Sequence, residues 1–116
     1  MNLEIFKEYC LSKKGVTEEL PFGPDTLVYK VMGKMFALTG FDFLSINLKN
    51  LPEKNQELRA EYDSVLPGYH MHKQHWNTVN IGGNIKDVFL REWIDESYEI
   101  VASSLTKKIQ EELKNL

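Results

Sequence analysis

The sequence predicts an α+β fold in two layers, with helices on one face of an antiparallel sheet. Three observations carry the prediction. Apolar residues recur at helical spacing near both ends of the chain. Strand-like runs bounded by turn residues fill the interior, without the strand–helix alternation of a parallel sheet. In the run 43–49, Phe43, Ser45, Asn47 and Lys49 alternate with Leu44, Ile46 and Leu48, the pattern of a sheet covered on one side only. The predicted order is α-β-β-β-α-β-β-α. A chain of 116 residues makes one domain, 1–116, and buries roughly two-thirds of its unfolded surface.

The first helix is predicted over 2–14. Leu3, Phe6 and Cys10 lie at helical spacing, with Ile5 and Tyr9 widening the stripe. Asn2 is placed to cap its start, and Gly15, after Lys13 and Lys14, to stop it. Cys10 falls on the apolar side and reads as a buried, unreactive thiol. Leu20-Pro21-Phe22-Gly23-Pro24 is a turn-rich approach to the sheet. Strands follow at Leu27–Val31, Met35–Thr39 and Phe43–Lys49, joined at Met32-Gly33-Lys34 and Gly40-Phe41-Asp42. Pro52 suits a helix first turn, so 53–62 is a short helix with Leu51, Leu58 and Tyr62 inward. Trp76–Ile81 is a strand with 69–71 as its neighbour, and Gly82-Gly83-Asn84 is a turn. From Leu90 to Leu116 the apolar residues keep helical spacing, and Asp95 and Ser97 mark a break or fresh cap. The mostly charged end, 106–116, is expected to project as a helical tail or to fray.

Formal net charge is −3, from 14 Lys and Arg against 17 Asp and Glu. The acids concentrate at the two ends. Within 26–50, Lys30, Lys34 and Lys49 face Asp42 alone, so the middle of the chain is able to present a locally basic face. The single cysteine excludes an internal disulfide and suits a reducing compartment. The first residues show neither a basic start nor an apolar run, and no window approaches the ~20 apolar residues of a membrane span. A cytoplasmic location without membrane contact is the expectation.

Residues 69–77 concentrate the chemistry. Tyr69, His70, His72, Lys73 and His75 are followed directly by Trp76 and Asn77, and all 3 histidines lie here. His70 and His72 share a face if the segment is extended. A structural zinc site wants four ligands, commonly thiolates, and no thiolate or carboxylate in the segment completes a set. No metal and no cofactor are expected. No Ser or Cys sits in a nucleophile elbow, and Gly82-Gly83 lacks the rest of a phosphate loop. No catalytic residue is assigned, and the chain reads as non-enzymatic.

Several separated motifs carry a family resemblance. Phe22-Gly23, Val28-Tyr29-Lys30-Val31, Gly33-Lys34-Met35-Phe36-Ala37, Leu48-Lys49, Glu57-Leu58-Arg59, Pro67-Gly68-Tyr69-His70-Met71 and Lys73 with His75-Trp76-Asn77-Thr78-Val79 stand in the order and spacing of the MmcQ/YjbR family. Asp95-Glu96-Ser97-Tyr98 with Val101 resembles its C-terminal helix signature. The family pattern usually has asparagine where this chain has His72. The resemblance implies a small α+β domain of the double-wing type, similar to type III secretion chaperones. It also implies DNA binding, a label that rests largely on likeness of fold.

Strand parity turns that implication into a candidate surface. Lys30 shares a face with Val28, and Lys49 with Asn47, so both lysines should lie on the sheet face away from the helices. The candidate surface is that face and the adjoining turn, built by Tyr29, Lys30, Lys34, Lys49, Arg59, His70, Lys73, His75, Trp76 and Asn77. Its expected ligand is double-stranded DNA, held through phosphates by Lys and Arg. The alternative is a protein–protein or self-associating module without a DNA role, such as a homodimer, anchored by Trp76 and Tyr69.

Overall fold

The computed structural model describes residues 1–69 and 71–116. Helix α1 (Leu3–Leu11) leads into strands β1 (Val16–Glu19), β2 (Thr26–Val31), β3 (Lys34–Gly40) and β4 (Ser45–Lys49). Helix α2 (Pro52–Glu61) precedes β5 (Val65–Pro67) and β6 (Trp76–Asn80), and α3 (Asp87–Ser103) and α4 (Lys107–Lys114) close the chain. The strands form one antiparallel sheet of six, in the order β1-β2-β3-β4-β6-β5. The α+β prediction holds. No helix among the described residues is long and apolar enough to cross a membrane.

The helix-side face of the sheet builds the main core. Leu27, Tyr29 and Val31 of β2, Ile46 and Leu48 of β4 and Val79 of β6 meet Phe6 and Cys10 of α1 and Trp93, Ile94 and Val101 of α3. Ring edges reinforce it: Phe6 and Tyr29 stand at 5.6 Å, and Phe36 and Tyr98 at 5.4 Å, both near perpendicular. Asn2 caps α1 as expected, its side chain accepting from the Ile5 N–H at 2.9 Å. A smaller cluster lies on the opposite face, where Val28, Leu38 and Trp76 are buried with Met35 and Met71 against them.

Five details differ from the sequence reading. Residues 16–19, where the sequence predicted no strand, form an edge strand against β2; its central Thr17 and Glu18 are both exposed, so the segment gives no alternation signal. The second neighbour of β6, beside β4, is 65–67, because the chain leaves the sheet at Gly68; of the predicted 69–71, Tyr69 and Met71 are not in a strand, and His70 lies outside the described residues. The third predicted strand starts at Ser45, since Phe43 adopts φ 50° and folds its ring into the core, 5.5 Å from Phe6, while Leu44 turns outward. Ser97 does not break α3; the break falls at 104–106, where Thr106 accepts from Ile109 N–H and caps α4. The tail does not project. Lys14 Nζ donates to the Lys114 carbonyl at 2.9 Å, and Leu113 packs against the core.

Candidate functional site

Strand register fixes which side chains share the helix-free face. Opposed residues in an antiparallel pair point the same way. Val28 faces Leu38, Leu38 faces Asn47, Asn47 faces Thr78 and Thr78 faces Leu66. The next row is Lys30, Met35, Lys49 and Trp76. Lys30 and Lys49 therefore lie on the open face, as strand parity predicted. Lys30 is paired with Glu19 at 3.1 Å. The Glu19 carboxyl is held below its ordinary range, first by the Thr17 hydroxyl and then by Lys30.

The other predicted residues divide. Tyr29 is fully buried on the helix side, donating to Glu18 Oε2 at 2.8 Å; burial, then Glu18, raises its pKa. It belongs to the core and not to the surface, because it sits between Val28 and Lys30. Lys34 opposes Val31 across the Met32-Gly33 turn, which puts it on the helix side at a hairpin tip. Arg59 and Asn77 also lie behind the sheet. Arg59 Nε donates to Asn77 Oδ1 at 2.6 Å, and its NH2 to the carbonyls of Trp76, at 3.2 Å, and Lys73. Asn77, itself buried, donates to the Asn55 carbonyl at 3.3 Å. These two residues brace the 68–75 loop from the rear, and their side chains are directed away from the open face.

That loop leaves the sheet beside Trp76. Gly68 N–H donates to the Trp76 carbonyl at 2.8 Å, and a Cβ on Gly68 would stand 2.7 Å from Trp76 Cβ, so only glycine fits this approach. Tyr69 N–H donates to Thr78 Oγ1 at 2.9 Å, and Thr78 in turn to Asn47 Oδ1 at 2.6 Å, a relay that ties the loop to the sheet floor. Lys73 Nζ reaches the Gly68 carbonyl at 3.3 Å. His75 is half-buried with its ring 4.8 Å from that of His72; His70, a predicted site residue, lies outside the described residues. Among the described residues no group of three or more His, Cys, Asp or Glu is disposed to hold a metal. Trp76 is buried rather than an exposed anchor, since it fills the open-face cluster with Val28 and Leu38.

Between this loop and the β1–β2 connection the open face holds a cavity of about 340 Å³. Leu38 and Thr26 form its floor, Phe22 one wall, and Tyr69 and Met71 the other. Phe22 and Tyr69 are 65% and 71% exposed. The sequence reading missed Phe22, Leu38 and Met71 as site residues. An available signal was the large aromatic at Phe22 inside Leu20-Pro21-Phe22-Gly23-Pro24, where turn residues hold it away from any core.

A family model described as YjbR matches residues 11–100. The uncharacterized protein YbdF of Escherichia coli O157:H7 is 40% identical over 98 residues, covering 81% of this chain and 79% of that protein. The uncharacterized protein YjbR of Escherichia coli strain K12 is 26% identical over 110 residues, 93% of each. The crystal structure of DR2400 of Deinococcus radiodurans, described by the domain name DUF419, superposes with a TM-score of 0.90 at 36% identity, over 97% of this chain and 88% of that one. A crystal structure from Pseudomonas syringae superposes at 0.75 and 26% identity, over 87% of this chain and 99% of that one. The chain belongs to the YjbR family.

Proposed function

We propose that this protein is a non-enzymatic binding module, that its helix-free sheet face is the recognition surface, and that its ligand is a segment of another protein. The cleft over Leu38 carries this reading. Large apolar side chains left in water around a cavity are characteristic of recognition sites, and aromatic anchors dominate protein interfaces. Duplex DNA is the second reading, favoured by Lys30 and Lys49 lying on one face, with Lys73 in the loop next to it, its Nζ on the Gly68 carbonyl. The weight is against it. Lys30 is held by Glu19, and Arg59 is bonded to Asn77 and backbone behind the sheet. Lys49 and Lys73 remain. Two phosphate contacts give a salt slope of about −1.8, against about −3.6 for four.

Peptide display on immobilised protein at high ionic strength tests the first reading. Aromatic-containing peptides should be enriched on the wild type and not on Phe22→Ala. A labelled duplex titrated at low ionic strength tests the second. Duplex binding with a slope near −3.6, together with no aromatic enrichment, would reverse the order of the two. A dimer in sedimentation that Phe22→Ala dissolves would assign the cleft to a second copy of the chain.

A further inference from the structure

Resting on that reading, we infer that the segment bound is extended, and that it places an aromatic side chain in the cleft over Leu38 and a carboxylate two residues away, where Lys49 receives it.

The cavity sets the first half. Its volume of about 340 Å³ is near the lower end of ligand pockets, about 300–1,000 Å³, room for one large side chain rather than an extended organic ligand. Further exposed apolar side chains accompany it, Leu20 two residues before Phe22 in the chain and Leu66 on the same sheet face at β5, so the occupant is longer than the group that fills the hole. A peptide segment has that shape. Asn47 Oδ1 already accepts from Thr78, which leaves its amide nitrogen to meet a passing backbone carbonyl.

Register and charge set the second half. Leu38 opposes Asn47, and Lys49 lies two residues further along the same face. Such diagonal neighbours stand about 7–8 Å apart. An extended chain advances about 6.8 Å over two residues, with both side chains on one face, so an aromatic above Leu38 brings the second side chain on above Lys49. The other open-face strand lysine, Lys30, has its carboxylate partner in Glu19. Lys49 is half-buried and enters no ion pair among the described residues. Its backbone is fixed from behind by Ser97, so its stem starts from a set place.

The test is a nitrogen-15 correlation titration of the full chain with acetyl-Phe-Gly-Asp-amide and acetyl-Phe-Gly-Asn-amide. The aspartate probe should shift Leu38, Met71 and Lys49 amides and bind up to about fivefold more tightly than the asparagine probe, the upper range for a solvent-exposed charge pair. That preference should shrink with added salt and vanish in Lys49→Gln, while the asparagine probe binds that variant as it binds the wild type. Equal affinity of the two probes for the wild type, or an undiminished preference in Lys49→Gln, would overturn the inference and leave the cleft reading standing. Failure of both probes to bind would remove the cleft reading with it.

Discussion

Lys49 and Ser97 meet where the sheet opens. The backbone N–H of Lys49 on β4 donates to the Ser97 hydroxyl on α3 at 2.8 Å, and that hydroxyl donates to the Phe36 carbonyl on β3 at 2.6 Å. The β3–β4 ladder ends at Ala37 opposite Leu48, and the β2–β3 register slips beside Phe36. One buried hydroxyl thus stands in for the next rung. Ser97→Ala leaves a donor and an acceptor without partners inside the protein, at a cost of about 1–3 kcal/mol. Urea midpoints should show that loss, whereas Ser103→Ala, exposed on the same helix, should stay within about 0.5 kcal/mol. An unchanged midpoint in Ser97→Ala would mean that water replaces the hydroxyl.

Arg59 is predicted to matter to the loop rather than to a ligand. Its guanidinium gathers Asn77 and the carbonyls of Lys73 and Trp76. Arg59→Ala should cost about 1.5–3 kcal/mol, the range for hydrogen bonds to charged groups, and should speed amide exchange at 73–76 most. Arg59→Lys restores the charge but not the fork, so it should recover little. Full recovery by lysine would show that charge alone is used.

The fold was legible in the sequence because its signals are local. The Asn2 cap, the β4 alternation from Ser45 to Lys49 and the glycine turns each announce themselves within a few residues. Phe43 was misplaced because its positive φ, two residues before the strand begins at Ser45, reversed the parity. The candidate site was less legible. Whether a lysine or arginine is available depends on partners distant in sequence: Glu19 for Lys30, and Asn77 and Trp76 for Arg59, 11, 18 and 17 residues away. The cleft joins Phe22 to Met71 across the sheet, a pairing that no periodicity encodes.

Gly15 is the seat of α4. It adopts φ +75°, and a Cβ there would stand 2.6 Å from Leu113 Cδ1 and 3.2 Å from Met32 Sδ. Gly15→Ala meets a backbone cost of about 1–2 kcal/mol and the contact with Leu113. The two parts separate in a double-mutant cycle. In a Leu113→Ala background the contact is gone, so Gly15→Ala should cost less by about 0.5–3 kcal/mol. Strict additivity would show that α4 moves aside without loss.

Stability should fall in alkali. Burial pushes the Cys10 thiol above its ordinary value of 9.0, and burial followed by the Glu18 bond pushes Tyr29 above 10.0. Tyr9, half-buried at the edge of the core, is raised to about 12 by burial and then by Asp95. Each group holds its proton more tightly folded than unfolded, so the stabilisation is complete below pH 9 and is lost as pH rises. Guanidinium midpoints should decline from about pH 9, at up to about 1.36 kcal/mol per pH unit for each group titrating only in the unfolded chain. Cys10→Ala should lower the whole curve through its cavity and move the onset toward pH 10. An onset unmoved in that variant would exclude the thiol as its source.

Phe22 separates the two ligand classes most cleanly. Its ring is 65% exposed and forms one wall of the cleft, so Phe22→Ala should change stability by no more than about 0.5 kcal/mol. Loss of binding in that variant is therefore loss of contact and not of fold. A protein segment anchored over Leu38 should lose most of its affinity, since anchors of this kind are worth about 2 kcal/mol or more. A duplex held by phosphates should bind the variant with the same salt slope, while Lys73→Ala should flatten that slope by about one unit. If the Phe22 and Lys73 variants both leave duplex and peptide binding untouched, the open face is not the recognition surface for either.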